Sequence, residues 1–225
     1  MRRFFAGFLC VLMLCFPVRA DAGARYIALT FDDGPSGRFT RRLLDGLQDR
    51  KVKATFLLCG YRVEDYPKEA ARIIAEGHEI GLHGYSHAPM NTMRESQVAR
   101  EIQKTAALLP DGVVFLRPPG GKLNEATMEA ARKAGLAILS WSLDPKDWAC
   151  DDANLIVERV VAKAKDGDVI LLHDMSDSSV TAALRIIDRL EARGFRFVTV
   201  SELAKIKGVT PEPGMLYTDF TKIRW

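Results

Sequence analysis

The sequence is poor in the residues that most often bind metals or form disulfides. Its 225 residues include four histidines and four cysteines, with no Cys-x-x-Cys pair, so a thiolate zinc site is not expected. The His-Glu-x-x-His pattern of zinc proteases is also absent. Two cysteines lie near the N-terminus, and the other two, Cys59 and Cys150, could form one disulfide or stay as free thiols. A metal site would have to use histidine and carboxylate ligands.

Internal repeats, low-complexity tracts and linkers are absent between Ala24 and Gly208. The hydrophobic content of 48% and charged content of 27% are ordinary for a globular protein, which argues against disorder. The formal net charge of +3 comes from three arginines in the first twenty residues. Without them, basic and acidic side chains are equal in number, so nothing favours a nucleic-acid partner.

A secretory signal peptide is predicted for residues 1–20, with cleavage near residues 20–24. Arg2 and Arg3 precede an apolar stretch from Phe4 to Val18, and small residues follow. The stretch is shorter than the ~20 residues that a membrane-spanning helix requires, and an uncleaved signal anchor is the alternative. We therefore expect an exported protein, secreted, at the cell surface or in the periplasm, without any other integral membrane domain.

Strand-like and amphipathic helix-like segments alternate along residues 24–207. The candidate strands are Tyr26–Phe31, Ala54–Leu58, Glu79–Leu82, Val113–Leu116, Leu136–Ser140, Asp168–His173 and Arg196–Val200. This alternation implies parallel strands joined by crossover helices. It predicts an α/β fold, a distorted (β/α) barrel of about seven parallel strands with outer helices, whose site lies at the C-terminal ends of the strands. Residues 208–225 are predicted to form a C-terminal tail.

Two adjacent carboxylates end the first predicted strand. The run Tyr26–Phe31 is mostly apolar and β-prone, and it is followed by Asp32, Asp33 and a Gly-Pro turn. Adjacent carboxylates repel each other, and a divalent cation commonly offsets that repulsion. If one aspartate binds a metal and the other stays free, the pair suggests hydrolysis, with one group as ligand and the other as base.

A histidine pair follows the third predicted strand. His83 and His87 have the His-x-x-x-His spacing of many zinc sites, although this spacing also fits chance proximity in a polar loop. Asp33, at the end of a neighbouring strand, would complete a site of two nitrogens and one oxygen with an open position for water.

Three further strand ends carry candidate functional groups. His173 ends an apolar strand, where a structural and a functional role are equally open. Arg117 begins an Arg-Pro-Pro-Gly-Gly segment, whose glycines let backbone N–H groups approach a ligand closely. The segment Asp144–Trp148 offers two acids and a flat aromatic ring that suits the face of a sugar. His78 instead precedes its strand and is predicted to be structural.

In combination, these segments resemble the polysaccharide deacetylases of the NodB-homology type, carbohydrate esterase family 4. Five segments match in order over about residues 25–204, and the predicted domain is 24–207. They are Thr30 to Pro35, His83 to Pro89, Arg117 to Pro119, Asp144 to Trp148 and Leu171 to Asp174. Gly84 stands where many members have serine or threonine, and Gly120 where many have an aromatic residue, which bears on the shape of the cleft.

The resemblance implies a metal site and a catalytic base. Asp33, His83 and His87 would bind one divalent metal, with zinc as the first expectation and cobalt, manganese or nickel as alternatives. Asp32 would be the catalytic base, and Arg117 would orient it.

The resemblance also implies a catalytic acid and a substrate pocket. His173 would be the acid, and Asp144 would pair with it. The backbone N–H of Gly120 would help to bind the oxyanion, while Leu171 and Trp148 would enclose the methyl group of the acetyl.

The implied activity is metal-dependent removal of N-acetyl groups from an amino-sugar polysaccharide, with release of acetate. Peptidoglycan N-acetylglucosamine is the first expectation, chitin oligomers the second, and N-acetylmuramic acid and O-acetyl xylan follow. The alternatives are an amidohydrolase acting on small amides or imides and a non-catalytic carbohydrate-binding relative. A two-carboxylate glycosidase is disfavoured because adjacent aspartates do not flank a bond from opposite sides. We expect a monomer with no nucleic-acid partner.

Overall fold

A computed structural model of the protein describes residues 23–220; the predicted signal peptide lies outside the described residues. Within that range, every helix is too short or too polar to cross a membrane. The strands are β1 Arg25–Asp32, β2 Thr55–Leu58, β3 Glu79–Leu82, β4 Phe115–Leu116, β5 Ala137–Leu139, β6 Val169–His173, β7 Phe195–Phe197 and β8 Leu216–Tyr217. The helices are α1 Gly37–Arg50, α2 Gly60–Asp65, α3 Pro67–Ala75, α4 Glu95–Ala106, α5 Glu125–Lys133, α6 Ala153–Val161, α7 Asp177–Glu191 and α8 Val200–Ile206.

Seven strands form one sheet in the order β6-β1-β2-β3-β4-β5-β8, and β7 pairs with β1. All of these pairs are parallel. The sheet curls into a half-barrel with the helices outside, which confirms the predicted fold class. The segment after β5 reaches the opposite edge, where Leu143 forms an isolated bridge with Ile170 of β6. This bridge brings the segment Asp144–Trp148 beside the end of β6.

The side chains of β1 divide between two apolar clusters, as the twofold period of a strand requires. Ile27, Leu29 and Phe31 pack with leucines of α1 in the layer between sheet and helices. Tyr26 and Ala28 belong to the second cluster, with residues such as Leu57, Phe115, Leu139 and Val169 from other strands. Burial on both faces explains why β1 is almost continuously apolar.

The C-terminal segment contains a strand that the sequence did not indicate. β8 pairs in parallel with β5, with Leu216 opposite Ile138. The rings of Tyr217 and Phe220 stack with centroids 5.5 Å apart, and both are buried in the second cluster. Two residues of the predicted tail therefore extend the sheet at its β5 edge.

Candidate active site

The two adjacent aspartates at the end of β1 have different partners. Asp32 is buried at the last position of β1, and Asp33 follows it with a φ of 70°. A positive φ is uncommon for residues other than glycine and often marks a functional constraint. Here it separates the carboxylates, because Asp33 contacts histidines whereas Asp32 contacts an arginine.

Asp33, His83 and His87 converge in a geometry that fits a metal ion. The Oδ1 atom of Asp33 lies 3.2 Å from Nε2 of His83 and 3.0 Å from Nε2 of His87, and the three ligand atoms lie within 4.8 Å of one another. Oδ1 is buried, yet no donor among residues 23–220 is aligned to give it a hydrogen bond. A buried carboxylate oxygen without a donor is costly, and two imidazoles with one carboxylate are a common ligand set for divalent metals.

The loop after β3 holds its two histidines by different means. The ring of His83 is buried, and its Nδ1 lies 2.7 Å from the carbonyl oxygen of Arg117. A hydrogen bond from Nδ1 to that carbonyl leaves the lone pair of Nε2 directed at the metal position. His87 is half-exposed, and its φ of 60° lies in the left-handed region. The loop is not helical, so the His-x-x-x-His spacing acts here through a bent backbone.

One carboxylate of α4 fixes this loop from outside. The Oε2 atom of Glu101 accepts hydrogen bonds from the backbone N–H groups of Tyr85 and Ser86 at 2.9 and 2.7 Å, and from the Ser86 hydroxyl at 2.9 Å. Hydrogen bonds to a charged acceptor are stronger than neutral ones. Glu101 therefore positions the segment between the two histidines.

Asp32 forms an ion pair with Arg117, which is completely buried. Nη1 of Arg117 donates to Oδ1 of Asp32 at 2.6 Å and to the Thr30 hydroxyl at 2.8 Å, and Nη2 donates to the carbonyl of Ser140 at 2.8 Å. The other oxygen of Asp32, Oδ2, lies 3.7 Å from Nε2 of His83. One oxygen of Asp32 is thus held by the arginine, and the other faces the metal position.

His173 pairs with Asp147, so the expected pairing with Asp144 is wrong. The Asp147 carboxylate lies 2.8 Å from Nδ1 of His173 and accepts the His173 backbone N–H at 2.8 Å. Asp144 instead accepts the backbone N–H of Lys146 at 2.6 Å within its own turn. Lys146 has a positive φ of 56°, and this turn directs the second acid of the segment, not the first, toward β6.

The contacts of His173 give it the properties of an acid. Burial alone would lower its pKa, but the hydrogen bond and charge of Asp147, together with Asp32 and Asp33, raise the pKa of His173 to about 9. Because Nδ1 faces Asp147, Nε2 faces the site, 4.0 Å from Oδ2 of Asp33. A protonated Nε2 at neutral pH can donate a proton to a leaving group.

These groups surround one cavity of about 400 Å³. Its lining residues are Asp32, Asp33, His83, His87, Gly120, Trp141, Asp144, Trp148, Leu171 and His173. The structure therefore brings together every predicted site residue except Arg117, which lies behind Asp32. Trp148 is exposed over 66% of its surface, whereas Leu171 is buried.

Sequence reasoning missed two residues of this site. Trp141 lines the cavity, and it packs so tightly on Gly121 that a Cβ there would lie 2.8 Å from the indole ring. Its position directly after a predicted strand was a signal that could have identified it. Asp147 is buried behind His173, and only the structure distinguishes it from Asp144.

A further aspartate, Asp174, is buried beneath the turn that follows the Asp32–Asp33 pair. Its carboxylate accepts a hydrogen bond from the Thr40 hydroxyl, and its backbone carbonyl accepts one from Ser36. Burial raises the pKa of Asp174 to about 6. A Cβ at Gly34 would lie 2.5 Å from this carboxylate, so glycine is required there by the close approach.

Cys59 and Cys150, the two cysteines within the described residues, are both free. Cys59 is buried at the start of α2, where burial raises the pKa of its thiol. A high pKa disfavours the thiolate, so Cys59 is unsuited to act as a nucleophile or ligand.

The family model for polysaccharide deacetylases matches residues 19–139. The chain belongs to this family. This polysaccharide deacetylase is 38% identical over 191 residues to a peptidoglycan-N-acetylglucosamine deacetylase from Bacillus cereus, covering 81% of this chain and 90% of the relative. It is 36% identical over 191 residues to the peptidoglycan-N-acetylmuramic acid deacetylase PdaC from Bacillus subtilis, covering 83% of this chain but only 40% of that longer protein.

Solved structures agree with the family assignment. A family 4 acetyl xylan esterase from Clostridium thermocellum, in complex with a cobalt ion, superposes with a TM-score of 0.81 at 33% identity, covering 87% of this chain and 98% of that one. The family and the Asp-His-His cluster together make this deacetylase an amidohydrolase of carbohydrate N-acetyl groups with a polysaccharide substrate. Asp33, His83 and His87 form its metal-binding triad.

Proposed function

We propose that this deacetylase removes N-acetyl groups from N-acetylglucosamine residues of peptidoglycan and releases acetate. One observation carries the proposal: the metal triad, Asp32 held by Arg117 and His173 held by Asp147 all face a single cavity. The similarity to the Bacillus cereus enzyme supports peptidoglycan N-acetylglucosamine as the substrate.

In this proposal, Asp32 is the general base. Its Oδ2 atom accepts a proton from the water that attacks the acetyl carbonyl, while Arg117 holds Oδ1 and fixes the carboxylate. Because Arg117 is completely buried, it cannot leave Asp32 to pair with solvent. The ion pair therefore positions the base and does not compete for the attacking water.

His173 is the general acid. It donates the proton on Nε2 to the sugar nitrogen as the amide bond breaks, so a free amine and acetate are produced. Asp147 stabilises the protonated ring through Nδ1. Such proton transfers typically contribute a factor of ~10²–10⁴ to the rate.

Gly120, Leu171 and Trp148 bind the acetyl group. The backbone N–H of Gly120, in a short 3₁₀ turn at the cavity, donates to the carbonyl oxygen as negative charge develops there. The side chains of Leu171 and Trp148 line the cavity and offer an apolar surface to the methyl group. Asp144, which also lines the cavity, is free to contact the sugar.

Zinc is the metal that we propose for the triad. Two imidazole nitrogens and one carboxylate oxygen, with a fourth position open, match catalytic zinc sites. When bound, the metal supplies a Lewis acid that polarises the amide carbonyl and lowers the pKa of water. The substrate and the predicted signal peptide together support export to the cell wall as part of this proposal.

Mass spectrometry tests the proposed substrate. Peptidoglycan fragments and chitin oligomers of matched length would be incubated with the protein, with and without a chelator. We expect loss of acetyl units from the N-acetylglucosamine of peptidoglycan, and no loss in the presence of chelator. Activity confined to chitin oligomers, or to the N-acetylmuramic acid of peptidoglycan, would contradict the proposed substrate.

A further inference from the structure

A second, basic groove continues the edge of the sheet that carries the active site. It has a volume of about 430 Å³ and lies at the ends of β1, β2 and β6, where it is lined by Ser36, Arg38, Arg41, Arg62, Tyr66 and Met175, among others. Ser36 follows the metal ligand Asp33 by three residues, and Met175 follows His173 by two. Three arginines and no acidic residue line the groove.

Arg62 is the unusual member of this groove. Its guanidinium lies near two tyrosine rings, 5.6 Å from the centroid of Tyr61 and 5.3 Å from that of Tyr66. Within the described part of the chain, Nη2 donates a hydrogen bond to the Sδ atom of Met175 at 3.3 Å, and the buried Nε has no hydrogen-bond partner. Among residues 23–220, no carboxylate forms an ion pair with Arg62. Because its buried Nε lacks a partner, Arg62 has a donor available for a ligand.

The neighbouring arginines leave the groove with excess positive charge. Arg41 pairs with Glu69, whereas Arg38 and Arg42 share the single carboxylate of Asp177 at 3.2 and 3.1 Å. The charge of Arg62 is not offset by any of these pairs. The guanidinium of an arginine is a planar fork of donors that matches a carboxylate.

We propose that this groove binds a carboxylate of the glycan substrate while an N-acetyl sugar occupies the metal site. This inference rests on the proposed function, because peptidoglycan carries carboxylates on its peptide substituents, or on the lactyl group where no peptide is attached, whereas chitin carries none. Arg62 is then a specificity-determining residue that selects acidic glycans over neutral ones without touching the reacting atoms. Arg38, at the exposed side of the groove, adds long-range attraction.

The test compares three substrates by the kinetics of acetate release. They are a peptidoglycan fragment with free carboxylates, the same fragment with its carboxylates amidated, and a neutral chitin tetramer. For the unmodified protein we expect KM to be roughly 10- to 100-fold lower for the free-carboxylate fragment than for the amidated one. The variant Arg62→Gln should remove this difference, with kcat and the KM for the chitin tetramer changed by less than about twofold.

Two further variants are controls for a folding defect and for a general change of charge. Arg185→Gln removes the same charge from α7, where Arg185 is exposed and hydrogen-bonded to Asn154, and it should change none of the three KM values. Arg38→Gln alters an exposed side chain and should raise KM for the free-carboxylate fragment alone by a smaller factor. If Arg62→Gln fails to fold, Arg38→Gln decides the test. An unchanged KM for the free-carboxylate fragment in Arg38→Gln would then contradict carboxylate binding in the groove.

The outcomes separate this inference from the proposed function. Equal KM values for the free-carboxylate and amidated fragments would contradict carboxylate binding in the groove. An equal effect of Arg62→Gln on both KM values would contradict it as well. Neither result would contradict peptidoglycan deacetylation. Acetate release from the chitin tetramer alone would instead overturn the peptidoglycan substrate.

Discussion

A histidine lies at each end of β3, and both are buried, yet their surroundings are opposite in kind. His78, before the strand, accepts the backbone N–H of Ala54 through Nδ1 at 3.2 Å and packs edge-on against Phe56. His83, after the strand, directs Nε2 toward oxygens of Asp32 and Asp33. The same residue type is therefore a neutral packing element at one end of the strand and a metal ligand at the other.

The difference extends to the other polar groups at the two ends of the sheet. At the N-terminal end of β3, Glu79 accepts hydrogen bonds from the hydroxyls of Thr55 and Ser201, so its carboxylate is satisfied. At the C-terminal end, Asp33 Oδ1 is buried without an aligned donor. Buried atoms without a hydrogen bond occur at both ends, since Nε2 of His78 and Oε2 of Glu76 lack one too. Among the described residues, the functional end differs because it gathers three potential metal ligands within 4.8 Å of one another.

The largest effect is expected from His87→Ala. Loss of one of three ligands should abolish metal binding and lower kcat/KM by roughly 10³-fold or more. For protein whose metal has been removed with a chelator, the free energy of unfolding should change by less than about 0.5 kcal/mol, because the His87 side chain is half-exposed. Acetate release, metal content per chain and urea denaturation measure the three quantities. A variant that keeps its metal and its activity would break the contrast between the two ends of β3.

The second prediction tests which acid supports His173. Asp147→Asn should lower kcat by roughly 10²- to 10⁴-fold, because the protonated ring of His173 loses its charged partner. The matched variant Asp144→Asn should lower kcat by less than about tenfold. The kcat values for acetate release from one peptidoglycan fragment decide between them. The reverse order would restore the pairing that the sequence suggested.

The third prediction concerns the ion pair that holds the functional end together. Arg117→Met would leave the buried Asp32 carboxylate without its partner, which typically costs ~3–5 kcal/mol of stability. The more exposed Arg50–Asp188 pair is the control, and Arg50→Met should cost about 1 kcal/mol or less. Free energies of unfolding from urea denaturation measure both. Equal losses would show that burial does not strengthen the dependence of Asp32 on Arg117.

The smallest effect is expected for His78, and it is a loss of stability at acidic pH. Burial, with Lys53 and Arg72 nearby, lowers the pKa of His78 to about 4 from an ordinary value of 6.5. Between these values the unfolded chain binds a proton that the folded protein does not, so stability falls as pH falls from 6.5 toward 4, by up to about 3 kcal/mol. His78→Gln should remove this part of the acid dependence and leave activity at pH 7 unchanged.

Unfolding free energies at pH 7 and pH 4.5, for the variant and the unmodified protein, check this last prediction. The comparison is the change between the two pH values, so any loss of packing against Phe56 cancels. Parallel pH dependence in the two proteins would contradict it.

The sequence predicted the fold wherever elements were long and periodic. The almost continuously apolar run Tyr26–Phe31 has the pattern of a strand buried on both faces, and the structure has β1 there, at Arg25–Asp32. β8 escaped prediction because a two-residue strand among prolines and glycines has no period to detect, and its place depends on an open edge of β5. The last predicted strand is shorter than expected because α8 begins at Val200.

The sequence predicted which residues form the site better than it predicted which residues they pair with. Asp33, His83 and His87 follow strands that pair in one sheet, so their convergence follows from topology. The choice between Asp144 and Asp147 depends on the turn at Lys146, which no pattern in the sequence specifies. The roles assigned to the catalytic and acetyl-binding residues remain predictions until the variants are measured.

The central claim is that Asp33, His83 and His87 hold one divalent metal on which deacetylation depends. The most direct measurement starts from protein whose metal has been removed with a chelator. The protein is titrated with zinc, and bound zinc and acetate release are measured at each step. The account predicts that activity rises in proportion to bound zinc and saturates at about one ion per chain, with neither binding nor activity in His87→Ala. Full acetate release by the metal-free protein would contradict the account. Binding of about one zinc ion per chain by His87→Ala would contradict it as well.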